Sequence, residues 1–125
     1  MQNELHAILA KSGRRHAEQG DVVTTSPQGL PFNAVIHAVA VDGFYKSSRM
    51  VITQVVEKAL RAAASLDAKT VALAALATGY GRLTMNEFAA GIQPLLNEEF
   101  EPVRETIICV RHDFEWDELQ QALHR

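Results

Sequence analysis

Thr78, Gly79, Tyr80, Gly81 and Arg82 stand between the apolar run 71–76 and a helical pattern that begins near Met85. Glycine has no side chain to hold a ligand away from the backbone, and it is not restricted to negative φ. A loop of this kind between strand and helix can turn several N–H groups toward a phosphate, with the helix dipole favouring negative charge. Arg82 would add a bidentate charged contact. The plainer reading is a tight turn in which the glycines serve geometry and Arg82 is solvated; spacing alone favours it. Thr84-Met85-Asn86-Glu87 forms a capping box that starts the helix at or near Met85.

Asp42, Tyr45 and Lys46 follow the apolar stretch 34–41, in "DGFYKSS", and could line the same site. Asp42-Gly43 also reads as an ordinary turn. A general acid or base there would need a perturbed pKa and reach to a substrate, so the sequence assigns no catalytic residue. His37, inside "VIHAV", is expected as a hydrogen-bonded core histidine, and Glu98, Glu99 and Glu101 as a solvated face. The single cysteine, Cys109, excludes an internal disulfide. It lies in an apolar run and reads as a small buried hydrophobe. Cys/His metal spacing is absent, and neither a metal nor a cofactor is expected.

The elements that would position these residues follow from periodicity. Residues 3–18 read as a helix with Leu5, Ile8 and Leu9 on one face. A short β-branched stretch, 21–25, precedes a turn marked by Pro27, Gly29 and Pro31. The segments 34–41 and 70–76 are almost continuously apolar, which suits strands covered on both faces. From 48 to 66, Ile52, Val56, Ala59, Ala63 and Leu66 recur at helical spacing, with Arg49, Glu57, Lys58 and Arg61 left for water. A second long helix is expected over 85–99, with Phe88, Ile92, Leu95 and Leu96 inward and Pro94 kinking or splitting it. A strand over 105–111 precedes a last helix, capped by Asp113 and carrying Trp116, Leu119 and Leu123.

Buried strands alternating with amphipathic helices indicate an α/β fold, a three-layer α/β/α sandwich with a mixed, largely parallel sheet. In such sheets ligands bind outside the carboxyl ends of the strands, which is where 42–45 and 77–83 fall. The chain has 125 residues, enough for a single domain (1–125) with a real core. Its formal charge of −3 argues against general nucleic-acid binding. No segment approaches the length of a membrane span and no signal-peptide pattern opens the chain, so a cytoplasmic protein is expected.

The runs "LPFNAVIHAVAV" and "TVALAALATGYGRLTMNEFAAGI" resemble the macro domain family, and "LHAILAKSG" looks like the helix after that family's first glycine-rich loop. Macro domains bind ADP-ribose, and some hydrolyse ADP-ribosyl linkages. Ala77, Thr78, Gly79, Tyr80 and Gly81 match the family's second phosphate-contacting loop position by position. The resemblance implies that Tyr80 packs over a ribose or phosphate, and that Arg82 and Thr84 depart from residues often small and often proline. The family's opening acidic strand and its asparagine-rich segment have no counterpart here; "GDVVT" aligns with a later strand, so Asp21 does not inherit the adenine contact. Each lost charged hydrogen bond weakens binding by about 1.5–3 kcal/mol, and about 1.4 kcal/mol is tenfold in affinity. The implied function is therefore a shortened, non-catalytic module that binds a phosphate-containing nucleotide or ADP-ribose derivative through the glycine loop 77–83, with Thr78, Gly79, Tyr80, Gly81, Arg82 and Asp42 as its ligand-binding residues. An ADP-ribosyl hydrolase and a scaffold without ligand are the alternatives. Missing opening strands would expose a sheet edge, which a homodimer could cover by pairing those edges or by burying helix 3–18 against its partner.

Overall fold

A computed structural model describes residues 19–26, 34–38, 40, 47–76, 78 and 83–123. The helix expected over 3–18 and the turn at 27–31 lie outside the described residues. Strands β1 (Val22–Thr25) and β2 (Val35–Ala38) pair antiparallel, with Val22 opposite Ala38 and Thr25 opposite Val35. Helix α1 (Arg49–Ser65) packs across both. Strand β3 (Thr70–Ala74) then pairs in parallel with β4 (Glu105–Cys109), from Thr70 opposite Glu105 to Ala74 opposite Cys109. A parallel pair needs a long crossover. Helix α2 (Met85–Ile92) and a 3-10 turn at Gln93–Leu95 provide it, and α3 (Asp113–Leu123) closes against α2.

The ends of α1 are fixed by local chemistry. The Val51 N–H donates to Ser48 Oγ at 3.3 Å, and Leu66 caps the carboxyl end. Asp67, at φ 58°, turns the chain so that its N–H reaches the Ala64 carbonyl and the Ala68 N–H reaches that of Ala63. This is the Schellman arrangement, here with aspartate where glycine is commonest. It also explains why Leu66 is half exposed rather than inward as its spacing predicts: the helix has ended there.

The core lies between the helices and the inner face of the strands. Ile52, Val55 and Phe88 are fully buried, and Val71, Leu73 and Ile108 pack against the cluster that holds Ile52 and Phe88. Pro94 splits the expected long helix: the α-helix stops at Ile92, which leaves Leu96 outward and half exposed. Neither β2 nor β3 is covered on both faces as continuous apolarity predicts. The residues of β2 are all half-buried, and β3 alternates, with Val71 and Leu73 inward and Thr70, Ala72 and Ala74 exposed. Alanine is apolar but small, so leaving it in water costs little and an apolar run need not mean two covered faces. Opposite Ala74, Cys109 is exposed, not buried as expected, because its position in β4 alternates outward.

His37 is half-buried, its Nε2 3.0 Å from Thr25 Oγ1 across the β1–β2 pair. That fits the structural role expected of it. On α3 the first helical residue is Asp113 itself, with the Glu115 and Trp116 N–H groups donating to the His112 carbonyl, so Asp113 does not precede the helix as a cap. Leu119 is buried, while Trp116 stands more than half exposed.

Candidate functional site

Parallel pairing sends the carboxyl ends of β3 and β4 out on the same side, and each leads to a helix start. At the first, the capping box closes in both directions: Thr84 N–H donates to Glu87 Oε1 at 3.0 Å, and Glu87 N–H to Thr84 Oγ1 at 3.1 Å. Beside it, Thr78 is half-buried and its hydroxyl donates back to the Ala75 carbonyl at 2.7 Å, which holds the chain in a turn as it leaves β3. At the second, Val110, Arg111 and His112 connect β4 to α3. The His112 and Phe114 rings stack, 5.3 Å between centroids and 8° from parallel.

A cavity of about 790 Å³ lies between these two helix starts, with Thr78, Thr84, Asn86, Arg111, His112 and Phe114 on its walls. The two helix amino termini and the Arg111 cation favour an anion, while the Glu115 and Glu118 carboxylates on the same lining oppose one. An exposed aromatic pair offers a face on which a planar ring can stack. A second hollow of about 510 Å³ lies beside the amino half of β4, apolar in its depth with Glu98, Glu99 and Glu101 at its edge. Those three carboxylates are exposed, as a solvated face would be. Among the described residues no group of three or more His, Cys, Asp or Glu side chains could hold a metal ion, and no helix is long and apolar enough to cross a membrane.

Of the expected site residues, Thr78 reaches this cavity. Gly79, Tyr80, Gly81, Arg82 and Asp42, together with Tyr45 and Lys46, lie outside the described residues. Arg111, His112 and Phe114 were missed by sequence reasoning, although the signal was there. "RHDF" follows the apolar run 105–110 as "TGYGR" follows 71–76. The carboxyl-end rule that selects 77–83 selects 111–114 equally.

Comparison with known proteins decides the family. A family model for the macro domain matches residues 1–92. The chain belongs to the macro domain family. Among solved structures, this macro domain is similar to an Oceanobacillus iheyensis macrodomain determined with ADP, at a TM-score of 0.79 and 17% identity, over 96% of this chain and 65% of that one. It is equally similar to a mutant of the Oceanobacillus iheyensis macrodomain determined with ADPR, at a TM-score of 0.80 and 16% identity, over 98% of this chain and 68% of that one. At such identity the likeness establishes the fold, an α/β macro fold. The chain spans about two thirds of the length of these structures. No curated protein sequence matches it. β4, α3 and the wall they give the cavity all lie beyond the residues that the family model matches.

Proposed function

We propose that this macro domain binds a phosphate-containing nucleotide or ADP-ribose derivative and does not turn it over. The observation that carries the reading is the cavity at the carboxyl ends of β3 and β4, where two helix amino termini and Arg111 converge beside Thr78. The two similar macrodomain structures, determined with ADP and with ADPR, support the choice of ligand class. In this reading Thr78, Gly79, Tyr80 and Gly81 would hold the phosphates through their backbone N–H groups, with Arg82 adding charge and Asp42 a further ligand contact.

Calorimetric titration with ADP-ribose tests the reading, with Gly79→Glu as the variant that puts bulk and negative charge into the loop. Binding by the parent chain that Gly79→Glu abolishes is the expected result. Absence of heat from a folded parent at millimolar ligand would leave the glycines as a turn and overturn the reading. We further propose a homodimer as this domain's assembly state. The supporting observation is the outward face of β3 and β4, where Ala72 pairs with Ile107 and Ala74 with Cys109, all four exposed.

A further inference from the structure

The hollow beside the amino half of β4 is separate from the cavity at the carboxyl ends of β3 and β4: the two share no described lining residue. Its depth is apolar, with Val56, Leu60, Leu73, Ile92 and Phe100 on its walls. Thr106 shares the inward face of β4 with Ile108, which packs against the core, yet Thr106 is exposed. The core therefore does not close over this part of the sheet. Leu96, half exposed, lines the same opening. An apolar opening edged by polar residues marks a surface that takes a partner.

The charge at the edge says which partner. Glu98, Glu99 and Glu101 stand there against one cation, Arg104. All three carboxylates are exposed, and none is in an ion pair with a described residue. Arg61 feels the charge of Glu98, but it is bonded to Glu57 at 2.8 Å, so its own charge is already engaged. Three carboxylates within four residues match more than one cation, while the apolar walls match uncharged side chains. A lone ammonium ion answers only part of the first demand and none of the second. A peptide with apolar side chains between Lys or Arg residues answers both.

We propose that this hollow docks a basic segment of a partner protein, with its apolar side chains inside and its Lys or Arg side chains on Glu98, Glu99 and Glu101. This is an interaction surface in addition to the nucleotide cavity, and it does not rest on the nucleotide reading. The acidic edge lies beyond the residues that the family model matches.

An array of immobilised short peptides tests it. Each peptide carries two apolar residues flanked by Lys or Arg; the controls are flanked by Glu instead, or have Ser in place of the apolar pair. The expected result is retention of the full chain by the basic apolar peptides alone, weakening as salt rises because the charges that pair are exposed. Glu98→Gln, Glu99→Gln and Glu101→Gln, combined in one variant, keep the side-chain size and remove the charge. Exposed ion pairs are individually weak, so the three together should account for about tenfold in affinity. Leu96→Ser leaves the charge alone and should also weaken retention. Equal retention by either control set would overturn the proposal, because charge or apolarity alone would then explain binding. Affinity unchanged in either variant, with its fold verified by circular dichroism, would overturn it too. Retention by no peptide would do the same and leave the nucleotide reading standing.

Discussion

Gly91 sits where α1 and α2 cross. A Cβ built there would lie 2.7 Å from both Cβ and Cγ2 of Ile52 and 3.0 Å from the Arg49 carbonyl oxygen. The Gly91 carbonyl also accepts from the Thr53 hydroxyl, so the two helices meet backbone to side chain with nothing between them. Replacing glycine by alanine in a helix gains up to about 1 kcal/mol of propensity. Overpacking a core costs about 1–3 kcal/mol. The steric term should win, because the atoms in the way are a branched Cβ and a backbone oxygen, neither of which can rotate aside. Gly91→Ala is expected to lower stability by about 1–2 kcal/mol in urea denaturation; an unchanged midpoint would mean that the helices slide apart freely. Nothing in "EFAAGIQ" marks this glycine, since only the crossing with Ile52, 39 positions earlier, gives it a role.

The start of α2 is an element whose cause is local. Both capping-box bonds form within four residues, so the sequence alone specifies them. Loss of such a cap typically costs about 1 kcal/mol. Thr84→Ala should therefore reduce stability by about that much, and Thr84→Ser should retain most of it, as read from thermal unfolding. Equal loss in both variants would show that the Thr84 methyl group, not its hydroxyl, holds the helix start. At the other end of α2 the sequence was only half legible. Pro94 announced a break, but whether the chain would kink and continue or stop depended on where Leu95 and Leu96 could pack. The core took Leu95 and left Leu96 in water.

Across the molecule, the described strands form two pairs, and the outward face of the parallel pair carries small apolar side chains and Ile107, 47% exposed. Apolar surface of this kind on a sheet favours association, and unpaired strand edges favour it further. Static light scattering at tens of micromolar should give the mass of a dimer. Ile107→Lys, on the outward face and away from the core cluster, should shift it to the monomer while leaving the melting temperature of the domain within a few degrees. A monomeric mass for the parent chain would count against self-association. The patch could not be read from sequence, because "VALAAL" and "TIICV" look alike whether one face is covered or two. Exposure is decided by what the rest of the chain brings alongside.

The sequence by itself determined whatever depends on neighbours a few residues apart. The α1 start at Ser48, the capping box at Thr84, the strands around Val22, Val35, Thr70 and Glu105, and the choice of an α/β fold were all of this kind. Part of the site was legible for the same reason, since a loop after a strand can be placed by pattern alone. Only the tertiary structure decided which loops share a cavity, because parallel pairing of β3 with β4 brings Arg111, His112 and Phe114 to Thr78 from more than 30 positions away. Only packing decided that Glu115, unlike Asp113, Asp117 and Glu118 on the same helix, is buried, with its Oε1 lacking a hydrogen-bond partner among the described residues.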